Sequence, residues 1–77
     1  MINKITLDML TKDSVSVKQQ RYYNDNGALY PIGQPHRKAY MNSIIGRQEV
    51  QTELPQEQQN AIFAIWGSEP TILEENI

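Results

Sequence analysis

Four residues near the middle of the chain, Asn24, Asp25, Asn26 and Gly27, constrain the fold more than any other stretch. Asn, Asp and Gly tolerate the positive φ that a tight hairpin demands, so the backbone reverses here and the flanking segments pair antiparallel. Upstream, Val15 and Val17 alternate with Ser14, Ser16 and Lys18 and lead toward Tyr22 and Tyr23, the period-two signature of a half-buried strand. Downstream, Ala28 to Ile32 folds back as the partner strand. Pro31 has no N–H to donate to a ladder, which assigns this strand to a sheet edge or ends it near Tyr30. Gly33, Gln34 and Pro35 then read as a second turn.

The remaining segments are assigned around that hairpin. Ile5, Leu7 and Met9 alternate with Thr6 and Asp8, a strand pattern, although Leu10 leaves a short helix open. Thr11 to Ser14 is a polar break. Arg37 to Ile45 fits alternation through Ala39, Met41, Ser43 and Ile45, and helical spacing through Tyr40, Ile44 and Met41, Ile45; the strand is the favoured reading. Gly46 to Glu53 is polar and reads as a loop. Pro55 suits a first helical position, Glu57 faces the positive end of the helix dipole, and a helix from about Pro55 to Trp66 follows. Its apolar face gathers Gln58, Ala61, Ile62, Ile65 and Trp66, with Leu54 just before it and Gly67 as the C-terminal cap. A helix this short is not stable alone in water and has to be buried against the sheet. The expectation is an α+β domain, three to four short antiparallel strands packed by one C-terminal helix, over residues 1–70, with 71–77 as a flexible acidic tail.

Size limits what such a domain does. A chain of 77 residues buries only about 60 to 65% of its unfolded surface, so its core is thin. The apolar share of 39% is low and eight Gln add polar surface, which leaves room for a partner or a second copy to supply burial. Without Cys there is no disulfide framework or thiolate site, the N-terminal residues are interrupted by Asn3, Lys4, Thr6 and Asp8, and no stretch reaches the ~18 apolar residues of a membrane span. The expected setting is intracellular, for a soluble, untargeted chain with no membrane partner. Charge is unevenly placed: seven cations against three Asp give residues 1–47 a charge of +4, and six Glu without a cation give residues 48–77 a charge of −6. Such a separation favours docking of the two halves or head-to-tail contact between copies.

Catalytic parts are scarce. His36 is the single histidine and reads as a surface turn residue, so a multi-histidine metal centre and a Ser-His-Asp device lack components. Glu49, Glu53, Glu57 and Glu69 read as solvated charges, Glu74 and Glu75 fall in the tail, and the four Gly are scattered rather than gathered into a phosphate-binding loop. No cofactor is expected and no enzymatic activity. The candidate interaction surface is the basic, aromatic stretch of Lys18, Arg21, Tyr22, Tyr23, Tyr30, His36, Arg37, Lys38, Tyr40 and Arg47. On a sheet such residues can stack on bases and track phosphates, which makes a nucleic-acid module the alternative to a protein-binding one. The overall negative charge and the absence of a dense basic patch weigh against it.

The run Tyr30, Pro31, Ile32, Gly33, Gln34, Pro35, His36, Arg37, Lys38, Ala39, Tyr40, followed by Asn42, Ser43, Gly46 and Arg47 and an acidic helix ending Ile65, Trp66, Gly67, resembles small uncharacterised proteins encoded by tailed phages and prophages of Gram-positive bacteria. That resemblance implies a viral or prophage-derived gene, often near virion structural genes, and brings no catalytic or binding residue with it. The expected function is non-enzymatic: interaction with another protein or with further copies of the same chain, in the setting of virion assembly.

Overall fold

A computed structural model describes residues 2–73, in the order β1 (Ile2–Asp8), β2 (Ser14–Asp25), β3 (Ala28–Met41), α1 (Ile44–Glu53) and α2 (Gln56–Trp66). The strands form one open antiparallel sheet in the order β1-β2-β3. The fold is α+β, with three strands and with two helices instead of one. The central turn is the expected two-residue reversal: Asn26 and Gly27 take φ of 53° and 86°, and the Gly27 N–H donates to Asn24 Oδ1 at 2.9 Å.

β3 departs most from the expectation. Gly33, Gln34 and Pro35 do not turn the chain, and His36 is a strand residue opposite Gln19. The register passes from Gln19↔His36 to Arg21↔Ile32, so residues 33–35 bulge out against Gln20 alone. Gly33 supplies the positive φ of 68° that this bulge needs, and the buried Gln20 amide donates to the carbonyls of Ile32 at 3.2 Å and Gly33 at 3.3 Å, replacing the interrupted ladder. Both prolines lie on an edge strand, as the missing donor requires, but the strand does not end at Tyr30; it runs to Met41.

Residues 37–45 divide between the two readings, strand through Met41 and helix from Ile44. The loop expected over Gly46 to Glu53 is helix α1. Ser43 caps it, its Oγ accepting from the Gly46 N–H at 3.0 Å, and Gly46, Val50 and Leu54 lie buried at four-residue spacing. Leu54 and Pro55 separate the helices, because the residue before a proline avoids helical geometry and Pro55 takes the N-cap position. In α2 the buried face is rotated from the one expected: Ile62 and Trp66 are buried and Phe63 packs beside them, while Ile65 is 45% exposed.

The core is Val15, Val17 and Tyr40 from the sheet, Val50 and Leu54 around α1, and Ile62 and Trp66 from α2, with Ile5, Leu7, Leu10 and Phe63 at its margin. All of the sheet's contribution comes from one face and from the end of the sheet near residues 5–7, 15–17 and 40. The hairpin continues well past this packing. The molecule is accordingly long, 50 × 26 × 20 Å, with a radius of gyration of 14.6 Å, where a compact chain of this length has about 11.5 Å. Thr71 and Ile72, expected in a loose tail, are tied to the body: both backbone N–H groups donate to the Asn42 carbonyl at 3.0 Å, and Thr71 Oγ1 bonds Asp13 Oδ1 at 2.6 Å. The rest of the expected tail, residues 74–77, lies outside the described residues.

Candidate functional site

Alternation along the strands splits the basic, aromatic stretch between two sheet faces. Opposed residues in an antiparallel pair share a face, so Thr6, Lys18 and Arg37 lie together, as do Ile2, Tyr22 and Pro31 and the pair Lys4 and Gln20. This face carries no helix, and Lys4 Nζ sits 5.2 Å from the centre of the Tyr22 ring. The other face carries Gln19, Arg21 and Tyr23 of β2 with His36, Ile32 and Tyr30 of β3 beside them. Tyr23 and Tyr30 stack there with ring centres 5.2 Å apart.

Lys38, Tyr40 and Arg47 do not join either exposed group, because the helices engage them. Lys38 Nζ bonds Glu53 Oε1 at 2.9 Å and Glu49 Oε2 at 3.2 Å, and the Tyr40 hydroxyl donates to Glu53 Oε1 at 2.9 Å. Glu49 and Glu53, read from sequence as solvated charges, thus clip α1 to β3. The Glu53 and Glu49 carboxylates hold the Lys38 ammonium above its ordinary pKa. Burial, then the bond to Glu53, pushes the Tyr40 phenol up to about 12, and the bonds from Lys38 and Tyr40 hold the Glu53 carboxyl below its usual range. Arg47 donates to Asn42 Oδ1 at 2.8 Å and to the Gly67 carbonyl at 2.7 Å, and its guanidinium lies 4.9 Å from the Phe63 ring centre. These three residues bind the body together.

Where helix cover ends, the core-side face of the sheet forms an open concavity of about 470 Å³ lined by Asn3, Gln19, Arg21, Ile32, Gln34 and His36. Every strand contributes, and the bulge at Gly33 sets Ile32, in place of Gln34, opposite Arg21. Asn3 Nδ2 donates to Gln19 Oε1 at 3.3 Å, which leaves the Gln19 amide N–H groups as donors to the concavity. Of the sequence candidates only Arg21 and His36 line it. Asn3, Gln19, Ile32 and Gln34 were not singled out, though one signal was present: Gln19 and Arg21 continue the Val15, Val17 alternation, so polar residues replace apolar ones on the core-side face where cover stops.

No helix among the described residues is long and apolar enough to cross a membrane. Comparison of the chain with protein-family models, curated proteins and solved structures finds no match.

Proposed function

We propose that this chain acts without catalysis, as a phage- or prophage-derived module in particle assembly that binds protein through the uncovered half of its sheet. The observation that carries the reading is the bare hairpin. Beyond the helices, Tyr23, Leu29, Tyr30 and Ile32 are 48%, 37%, 44% and 38% exposed in turn, next to Arg21, which among the described residues takes part in no ion pair. Among the described residues Lys38 is the one cation in an ion pair, so docking of the basic half on the acidic half inside the molecule uses little of the charge separation. What remains favours contact with an acidic surface outside the molecule, and the Glu-rich helical side of a second copy is such a surface.

The partner tested is therefore a second copy, joined head to tail. Sedimentation equilibrium at low and high salt is expected to show association that weakens with salt and is lost on replacing Tyr23 and Tyr30 together by Ser. A monomer at high concentration in both salts overturns the homotypic form. A second reading has its own observation: Lys4, Lys18 and Arg37 share the helix-free face with Tyr22, an arrangement suited to single-stranded nucleic acid. Fluorescence anisotropy of a labelled oligothymidylate at low salt tests it, and absence of binding there ends it.

A further inference from the structure

The concavity at the edge of helix cover holds an arginine and several donors but no acid. Its lining of Asn3, Gln19, Arg21, Ile32, Gln34 and His36 contains no Asp or Glu. Among the described residues the Arg21 guanidinium takes part in no ion pair, and neither it nor the Gln34 amide nor the His36 imidazole makes a side-chain hydrogen bond. Glu53 is already engaged by Lys38 and Tyr40. Ile32 adds apolar surface to the site, and the stacked Tyr23 and Tyr30 continue the same sheet face beyond it.

We propose that this concavity is a carboxylate-binding site that receives a Glu or Asp side chain from an acidic peptide segment of a partner chain. The proposal rests on the protein-binding reading above and specifies what the partner presents. Arg21 suits a planar carboxylate because its guanidinium offers two parallel N–H donors, and the Gln19 and Gln34 amides supply neutral donors around them. The methylene stem of the acidic side chain packs on Ile32. A volume of about 470 Å³ lies within the range of small-ligand sites and accommodates one side chain with its flanking backbone. A polynucleotide fits this face poorly, because its phosphates need a row of cations, and Lys4, Lys18 and Arg37 lie on the opposite face.

The test is a titration of the isotopically labelled full chain, followed by amide chemical shifts, with the peptide acetyl-Ile-Leu-Glu-Glu-Asn-Ile-amide, which carries the adjacent glutamates of the chain's own sequence. The expected result is shifts centred on Asn3, Gln19, Arg21, Ile32, Gln34 and His36, about tenfold weaker binding in Arg21→Leu, and a similar loss with the peptide whose glutamates are replaced by Gln. Arg21 is exposed, so this variant is expected to keep the wild-type spectrum elsewhere. Equal binding of the Gln peptide, binding unchanged in Arg21→Leu, shifts centred on Lys4, Lys18 and Arg37, or preference of the same residues for an oligothymidylate overturns the proposal. Self-association that persists in Arg21→Leu but needs Tyr23 and Tyr30 removes the carboxylate site and leaves the docking reading intact. Peptide binding at the concavity by a chain that stays monomeric removes the homotypic form of that reading and leaves the carboxylate site intact.

Discussion

Beside the apolar core, single polar residues tie the segments of this small body together. Asn42 is fully buried, donates from Nδ2 to the Lys12 carbonyl at 2.8 Å and accepts from Arg47 at 2.8 Å, while its backbone carbonyl receives Thr71 and Ile72. Asn42→Ala removes two side-chain bonds from a buried place, while the Lys12 carbonyl keeps the Thr71 hydroxyl and Arg47 keeps the Gly67 carbonyl, and is expected to cost about 2 kcal/mol of unfolding free energy, read by urea denaturation. Gly46 is a different kind of anchor: a Cβ there would stand 1.8 Å from the Met41 carbonyl oxygen. Alanine is the better helix former by about 1 kcal/mol, yet Gly46→Ala is expected to destabilise, because that backbone contact has no flexible end to move. The clip between Lys38, Tyr40 and Glu53 predicts a pH profile with two declining limbs. The native state holds the Glu53 carboxyl below its ordinary pKa, so its contribution is present above the unfolded carboxyl pKa and is lost as pH falls through the native one. Tyr40 and Lys38 are raised instead, so their contributions are intact below the unfolded values and are lost as pH rises, for Tyr40 from 10 toward about 12. Thermal midpoints across pH are expected to show both limbs, and Tyr40→Phe should flatten the alkaline one while lowering stability by about 1 kcal/mol at neutral pH.

At the scale of elements, what the sequence made legible was local chemistry, and what it hid depended on partners far along the chain. Asn26-Gly27 encodes its reversal in its own φ preferences, and the Ser14 to Val17 alternation encodes its face, so both could be read directly. Helix α1 was missed because Gly46 and a run of polar residues look like a loop, although the Ser43 cap and the four-residue spacing of Gly46, Val50 and Leu54 were visible. The rotation of α2 turns Phe63 instead of Ile65 toward the core margin, where Arg47 of another helix lies on its ring, a contact that local spacing does not reveal. The concavity was hidden for the same reason, since its lining comes together only through the register of three strands and the bulge. That bulge is testable by itself. Gly33 has open space around its Cβ position and a φ of 68°, so Gly33→Ala adds backbone strain and no clash, for an expected cost of about 1 kcal/mol. Gly33→Asn should recover part of that cost, because Asn visits positive φ more readily than Ala does. Urea midpoints of the two variants decide it, and equal losses would place the strain somewhere other than φ.

Over the whole molecule, packing and exposure are divided along one axis. The helices cover the sheet near Val15, Val17 and Tyr40, and from there the hairpin runs on to Asn26 and Gly27 with neither face covered. Backbone bonds in the covered half open only when the core opens, whereas those toward the tip have side-chain stacking of Tyr23 on Tyr30 and the Gln20 plug to hold them. Native-state hydrogen exchange is therefore expected to fall into two classes: amides of residues 15–18 and 37–40 that exchange with the global unfolding free energy, and amides of residues 22–31 that exchange through smaller local openings. A two-stranded ribbon alone is marginal in water, which is why protection should fall steeply past Tyr22, where pairing with β1 ends. Binding at the bare half has a definite signature in this measurement. A partner that seats on Tyr23, Tyr30 and Ile32 raises the tip class and the globally exchanging core class by the same amount, RT ln(1 + L/Kd) at free partner concentration L, because local opening of the tip and global unfolding both release it. Protection that is uniform along the free hairpin would mean that the arm is held as firmly as the core, and an interaction module built on an independently exposed ribbon would lose its physical basis.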